Sequence, residues 1–176
     1  MVLDASAAIA HVREETGGAR VERIINERDA VLVPWLFWTE VINVLARRHR
    51  WPASEVLSAV YDLEQLGMRT EPDSRPLRLA NIDAVEAYGL TAYDATYLVL
   101  AEAADADLVT GDARLAAAAG DRAIYIGADH GLAEQRAAYG DERPSQDPDW
   151  PRWPGAVAYL DELRREIRAD VEASPA

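Results

Sequence analysis

Residues 2–4 read VLD and residues 108–112 read LVTGD. Each is a short apolar run that stops at a carboxylate, Asp4 in the first and Asp112 in the second. Two further carboxylates stand in apolar surroundings. Glu40 lies inside PWLFWTEVINVLA (34–46), and Asp94 opens YDATYLVLA (93–101). A charge in such a setting is costly unless it is paired or binds a cation. Four carboxylates converging within about 4–6 Å would repel by roughly 1–4 kcal/mol per close pair. A bound cation or raised pKa values would resolve that conflict. Oxygen donors with no Cys or clustered His select Mg²⁺ or Mn²⁺ over Zn²⁺. Such a centre activates water and stabilises charge on a scissile phosphate.

Each carboxylate also has a plainer reading. Asp112 can cap the helix that follows it, and Asp4 can cap the first helix. Thr91 and Asp94 fit a capping box. Glu40 shares a helical face with Asn43 and Arg47, at spacings of three and seven, and can pair with Arg47. That polar stripe on an apolar helix also suits the wall of a wet cleft. Four such coincidences in one chain favour a shared pocket over four separate caps and pairs.

The elements that must position these groups alternate between short β-type runs and helical patterns. Strands are expected at 2–5, 30–34, 107–112 and 123–127, with an edge strand at 68–72. Helices are expected at 6–14 and 18–28, separated by a break at Gly17 and Gly18, and over 35–50 as one long helix with a basic end. Others are expected over 52–67, capped at Ser54 and stopped by Gly67, and at 75–89, 91–106 and 113–120. This alternation implies a parallel sheet with helices on both faces, and chemistry outside the carboxyl ends of its strands. After Gly127 the chain turns polar, with four of its nine prolines in 128–155. Residues 140–155 read as an extended arm. Residues 156–173 carry apolar positions 157, 160, 163, 167 and 171, the seam of one added helix; the last three residues should fray. The expected organisation is a domain over 1–127 and a C-terminal extension over 128–176.

The chain of 176 residues has no cysteine and a net charge of −13, and all 18 basic residues are arginine. Without lysine there is no Schiff base and no Walker lysine. Without cysteine there is no thiolate nucleophile or thiolate metal site. Bulk acidity disfavours non-specific nucleic-acid binding but leaves room for a metal-loaded pocket with a few local arginines. The longest apolar window, 30–46, is interrupted by Pro34, Glu40 and Asn43 and does not read as a membrane span. No secretion signal opens the chain, so a soluble cytoplasmic protein is expected. The dense basic stretch ARRHRW (46–51) either completes a helix C-terminus or contacts RNA phosphate or an acidic partner through Arg47, Arg48 and Arg50, with Trp51 available to stack. Trp35, Phe37 and Trp38 read as core or dimer interface.

Taken in order, VLDASAAIA with Asp4, EVINVL with Glu40, GLTAYDATYLVLAE with Asp94 and DLVTGDARLAAAAG with Asp112 resemble a PIN-domain protein. The closest likeness is to the VapC-like ribonuclease toxins of toxin–antitoxin pairs, over roughly residues 1–127. The resemblance implies a five-stranded parallel sheet in a helix–sheet–helix sandwich and a Mg²⁺- or Mn²⁺-dependent endoribonuclease. On that likeness Asp4 and Asp94 would be the main metal ligands. Glu40 and Asp112 would bind a second metal or position water. Ser6 and Thr110 would hydrogen-bond beside the site, and Asn43 would neighbour the glutamate. The implied reaction is in-line attack of activated water, leaving a 5′-phosphate and a 3′-hydroxyl. Attack by a 2′-hydroxyl would instead want a histidine base, and His11, His49 and His130 are scattered. An antitoxin partner and a homodimer are likewise implied by the resemblance. The segment beyond Gly127 departs from the pattern.

Other classes fit less well. A haloacid-dehalogenase-like phosphatase would want D-x-D after the first strand and usually a lysine, but this chain reads Asp4-Ala5-Ser6. A receiver domain fails on the same lysine. Serine-hydrolase chemistry lacks G-x-S-x-G. A PIN-like binding or scaffold protein without catalysis is the alternative from a different class.

Overall fold

Five short strands carry the molecule: β1 (Val2–Leu3), β2 (Leu32–Pro34), β3 (Arg69–Glu71), β4 (Leu108–Thr110) and β5 (Ala123–Tyr125). They form one parallel sheet in the order β3-β2-β1-β4-β5. The computed structural model describes residues 1–28, 30–127 and 154–173. Every residue of β1, β2 and β4 is buried, as expected of strands covered on both faces. Eight α-helices are described: α1 (Ala5–Val12), α2 (Gly18–Asn26), α3 (Leu36–Asn43), α4 (Ala53–Glu64), α5 (Arg75–Tyr88), α6 (Ala92–Ala104), α7 (Ala113–Ala119) and α8 (Pro154–Ala173). Helices α1 to α4 pack among themselves, as do α5 to α8, and the sheet lies between layers. The expected three-layer PIN-like α/β sandwich is therefore the fold.

The strand order explains where a site can form. From β1 the chain runs through α1 and α2 to β2 on one side, and later returns through α5 and α6 to β4 on the other. The order reverses between β1 and β4, and a crevice opens outside their carboxyl ends. Leu3 pairs with Val109, so Asp4 leaves β1 level with Thr110 of β4. The amide of Asp4 donates to the Val109 carbonyl at 3.0 Å. Gly17 starts α2 with φ +92, and a Cβ there would stand 2.1 Å from the Ile126 carbonyl oxygen, so only glycine fits this join.

Two local expectations need correction. The single helix expected over 35–50 divides: α3 ends at Asn43 and Val44–Arg48 form a wider turn. There the His49 amide reaches back five residues to the Val44 carbonyl, at 3.1 Å. The run ends at Arg50, in the left-handed region at φ 58, ahead of Pro52. Ser54 is not the cap of α4. Pro52 takes the N-cap position in extended conformation, which leaves Ser54 inside the first turn, its carbonyl accepting from the Ser58 hydroxyl at 3.1 Å. Of the three clustered aromatics, Phe37 is buried and meets half-buried Trp38 edge-on at 5.0 Å, whereas Trp35 is exposed.

The helix expected over 156–173 is present as α8, beginning at Pro154. Its Leu160, Leu163 and Ile167 are buried, and it packs on α5 and α6. Arg69 neutralises the buried Glu71 and also donates to the Ile167 carbonyl at 3.4 Å. The part of the arm expected over 140–153, and the last three residues, lie outside the described residues. Among the described residues no helix is long and apolar enough to cross a membrane.

Candidate active site

Asp4 stands at the carboxyl end of β1, buried, as the residue before α1. Its Oδ2 accepts from the Thr110 hydroxyl at 2.7 Å and from the Ser6 hydroxyl. These two side chains come from either side of the β1–β4 crevice and lock the carboxylate in place. Ser6 also accepts from the Gly111 amide at 2.9 Å, and Thr110 accepts from the Asp112 amide at 2.9 Å. The Thr110-Gly111-Asp112 turn is thus tied to the Asp4 side chain through two hydroxyls.

Asp94 and Asp112 keep their plain roles as well as entering the cluster. Thr91 caps α6: its hydroxyl accepts from the Asp94 amide at 3.2 Å, half of the expected capping box, and donates to Asp94 Oδ2 at 2.8 Å, so the carboxylate meets the Thr91 hydroxyl in place of its backbone amide. Asp112 caps α7, its Oδ1 accepting from the amides of Arg114 at 2.7 Å and Leu115 at 2.9 Å. The plain reading of Glu40 does not hold. Among the described residues neither Glu40 nor any other member of the quartet forms an ion pair with arginine. The wider turn after Asn43 winds more slowly than an α-helix and carries Arg47 off the Glu40 face. Glu40 accepts instead from the hydroxyl of Tyr97, at 2.5 Å.

The charges of these groups act on one another. Burial raises the Asp4 carboxyl to about 6; the Ser6 and Thr110 hydroxyls oppose the rise, and the charges of Asp94 and Asp112 add to it. Burial also raises Glu40, opposed by the Tyr97 hydroxyl and reinforced by the charges of Asp4 and Asp94. Burial drives the Tyr97 phenol well above its ordinary range, helped by the charges of Asp4 and Glu40. All four carboxylates are thus joined through mutual repulsion, with Asp4 at the centre.

These residues offer the oxygen donors that a hydrated divalent cation takes. Each carboxylate has one oxygen engaged by protein donors: Oδ2 of Asp4, Oε2 of Glu40, Oδ2 of Asp94 and Oδ1 of Asp112. The second oxygen of each accepts no hydrogen bond among the described residues. Positive charge is what the cluster lacks. Among the described residues no group of three or more His, Cys, Asp or Glu side chains is placed so that it could hold a metal ion.

Asn43 is exposed at the end of α3, one helical turn from Glu40. Arg47, Arg48 and Arg50 are exposed beyond it. Trp51 is half-buried against the core, which limits its use for stacking. Tyr97 is the site residue that sequence reading missed. Its signal was present: a buried phenol in a largely apolar helix, three positions after Asp94, must find a polar partner.

No curated protein matches the chain. Among solved structures it is similar to the crystal structure of PAE2754 from Pyrobaculum aerophilum. The identity is 29% and the TM-score 0.54, over 78% of this chain and 94% of that one. Residues 1–121 match the family described as PIN domain. With a parallel sheet in this order and carboxylates gathered at its switch point, the chain belongs to the PIN domain family.

Proposed function

We propose that the protein is a Mg²⁺- or Mn²⁺-dependent endoribonuclease, a VapC-like toxin held in check by a cognate antitoxin. PIN domains are generally nucleases and typically use divalent metals. The observation that carries the reading is the uncompensated quartet: Asp4, Glu40, Asp94 and Asp112 repel one another, and each keeps one oxygen free. In this reading residues 1–127 form the nuclease domain and 128–176 its extension.

Asp4 and Asp94 would hold the metal, with Glu40 and Asp112 orienting water or a second ion. The bound ion would activate water and neutralise charge on the scissile phosphate. Ser6 and Thr110 keep Asp4 fixed, so little reorganisation is needed as charge develops. In-line hydrolysis would leave a 5′-phosphate and a 3′-hydroxyl. Arg47, Arg48 and Arg50 would take RNA phosphates further along the strand. Exposed Ile42, Leu57 and Tyr61 on α3 and α4 are the apolar surface that homodimerisation would cover.

The test is induced expression of wild type and Asp94→Asn in a bacterial host, with mapping of new RNA 5′-phosphate ends. Growth arrest and a few discrete new ends are expected from wild type and neither from the variant. Equal new ends from both proteins would remove the quartet from the reaction. The second reading, a PIN-like scaffold, would give Mn²⁺ binding with no new ends.

A further inference from the structure

We infer that Tyr97 is a positioning residue that aims the Glu40 carboxylate. The inference rests on the metal-nuclease reading. Glu40 forms no ion pair with arginine among the described residues, and the hydrogen bond its carboxylate accepts there comes from Tyr97.

Tyr97 is buried in α6, one turn beyond Asp94, and α6 packs against β1 and β2. Its hydroxyl donates to Glu40 Oε2 at 2.5 Å. One phenol therefore ties the second turn of α3 to the body of α6. Glu40 is held by one oxygen, and its Oε1 accepts no hydrogen bond among the described residues. A phenylalanine would fill the same space and lose this contact.

The experiment is calorimetric Mn²⁺ titration of the metal-free full chain, for wild type, Tyr97→Phe, Glu40→Gln and the double variant. Loss of a partner that orients a metal ligand costs about 10–100-fold in metal affinity or activity. Tyr97→Phe is expected to weaken Mn²⁺ at least tenfold and to lower kcat with KM within about twofold. In Glu40→Gln the further loss on adding Tyr97→Phe should be smaller, because part of its effect runs through Glu40. Wild-type affinity in Tyr97→Phe, or full additivity in the double variant, would overturn the inference, even if Tm falls. Wild type that binds no Mn²⁺ would overturn the metal reading, and this inference with it. Wild type that binds while Tyr97→Phe binds equally would overturn this inference alone.

Discussion

Asp4 shows how a single buried group couples stability to chemistry. Its carboxyl is raised to about 6, so the folded protein holds a proton there that the unfolded chain has already released. The contribution to stability is fully present below the ordinary aspartate value and is lost as pH rises through 6. One pKa unit corresponds to 1.36 kcal/mol, so a rise from 3.8 to about 6 amounts to about 3 kcal/mol. Urea unfolding of metal-free protein from pH 4 to pH 8 should therefore show falling stability across that window. In Asp4→Asn this component should vanish. Added Mn²⁺ should restore stability at pH 7, by about 2.7 kcal/mol at one hundred times its Kd. A flat profile in wild type would mean that Asp4 is not desolvated in the free protein. Sequence reading picked out Asp4, Glu40, Asp94 and Asp112 by their apolar surroundings. Tyr97 escaped because tyrosine in a buried helix gives no charge signal, and its partner lies 57 residues away.

Helix α8 settles what the C-terminal seam is for within the fold. The apolar spacing over 156–173 predicted a helix, but its docking face is a property of the packed molecule. Leu163 is 2% exposed between α8 and its neighbours α5 and α6. Leu163→Ala should destabilise the full chain by about 2–5 kcal/mol, measured by urea unfolding. A change below about 0.5 kcal/mol would show that α8 is not docked in solution. The run after Trp35 shows where periodicity misleads. Its composition is helical throughout 35–50, so no residue type marks the change at Asn43. The turn at Val44–Arg48 keeps Leu45 in the core while rotating Arg47 away from Glu40. A pairing argument based on a spacing of seven assumes an unbroken α-helix.

For the molecule as a whole the charge balance limits how RNA can be met. At net −13 a broad electrostatic surface is not available, and binding must come from a few local arginines. Arg47, Arg48 and Arg50 are exposed and in no ion pair among the described residues. Replacing all three by glutamine should weaken RNA binding and reduce the salt dependence of log K by about 0.7 for each single-strand phosphate that is no longer neutralised. Mn²⁺ affinity should stay at the wild-type value, since none of these side chains pairs with a quartet carboxylate among the described residues. An unchanged salt slope would free the basic stretch of any RNA role and leave it as a favourable helix end.

The order of strands and helices was legible from sequence alone, because apolar periodicity and glycine or proline breaks are local signals. So was the quartet, because a carboxylate that ends or interrupts an apolar run must be explained by a partner. Which partner each one finds depends on packing. Thr110 reaches Asp4 across 106 residues because β4 lies beside β1, and Tyr97 reaches Glu40 because α6 packs over β1 and β2. Asp112 caps α7, Asp94 accepts from the Thr91 hydroxyl that caps α6, and both join the cluster at once, a pair of roles that sequence reading sets against each other. Only the tertiary structure decides such matters, since hydrogen bonds form over about 3 Å and the chain brings those atoms together only when the sheet closes.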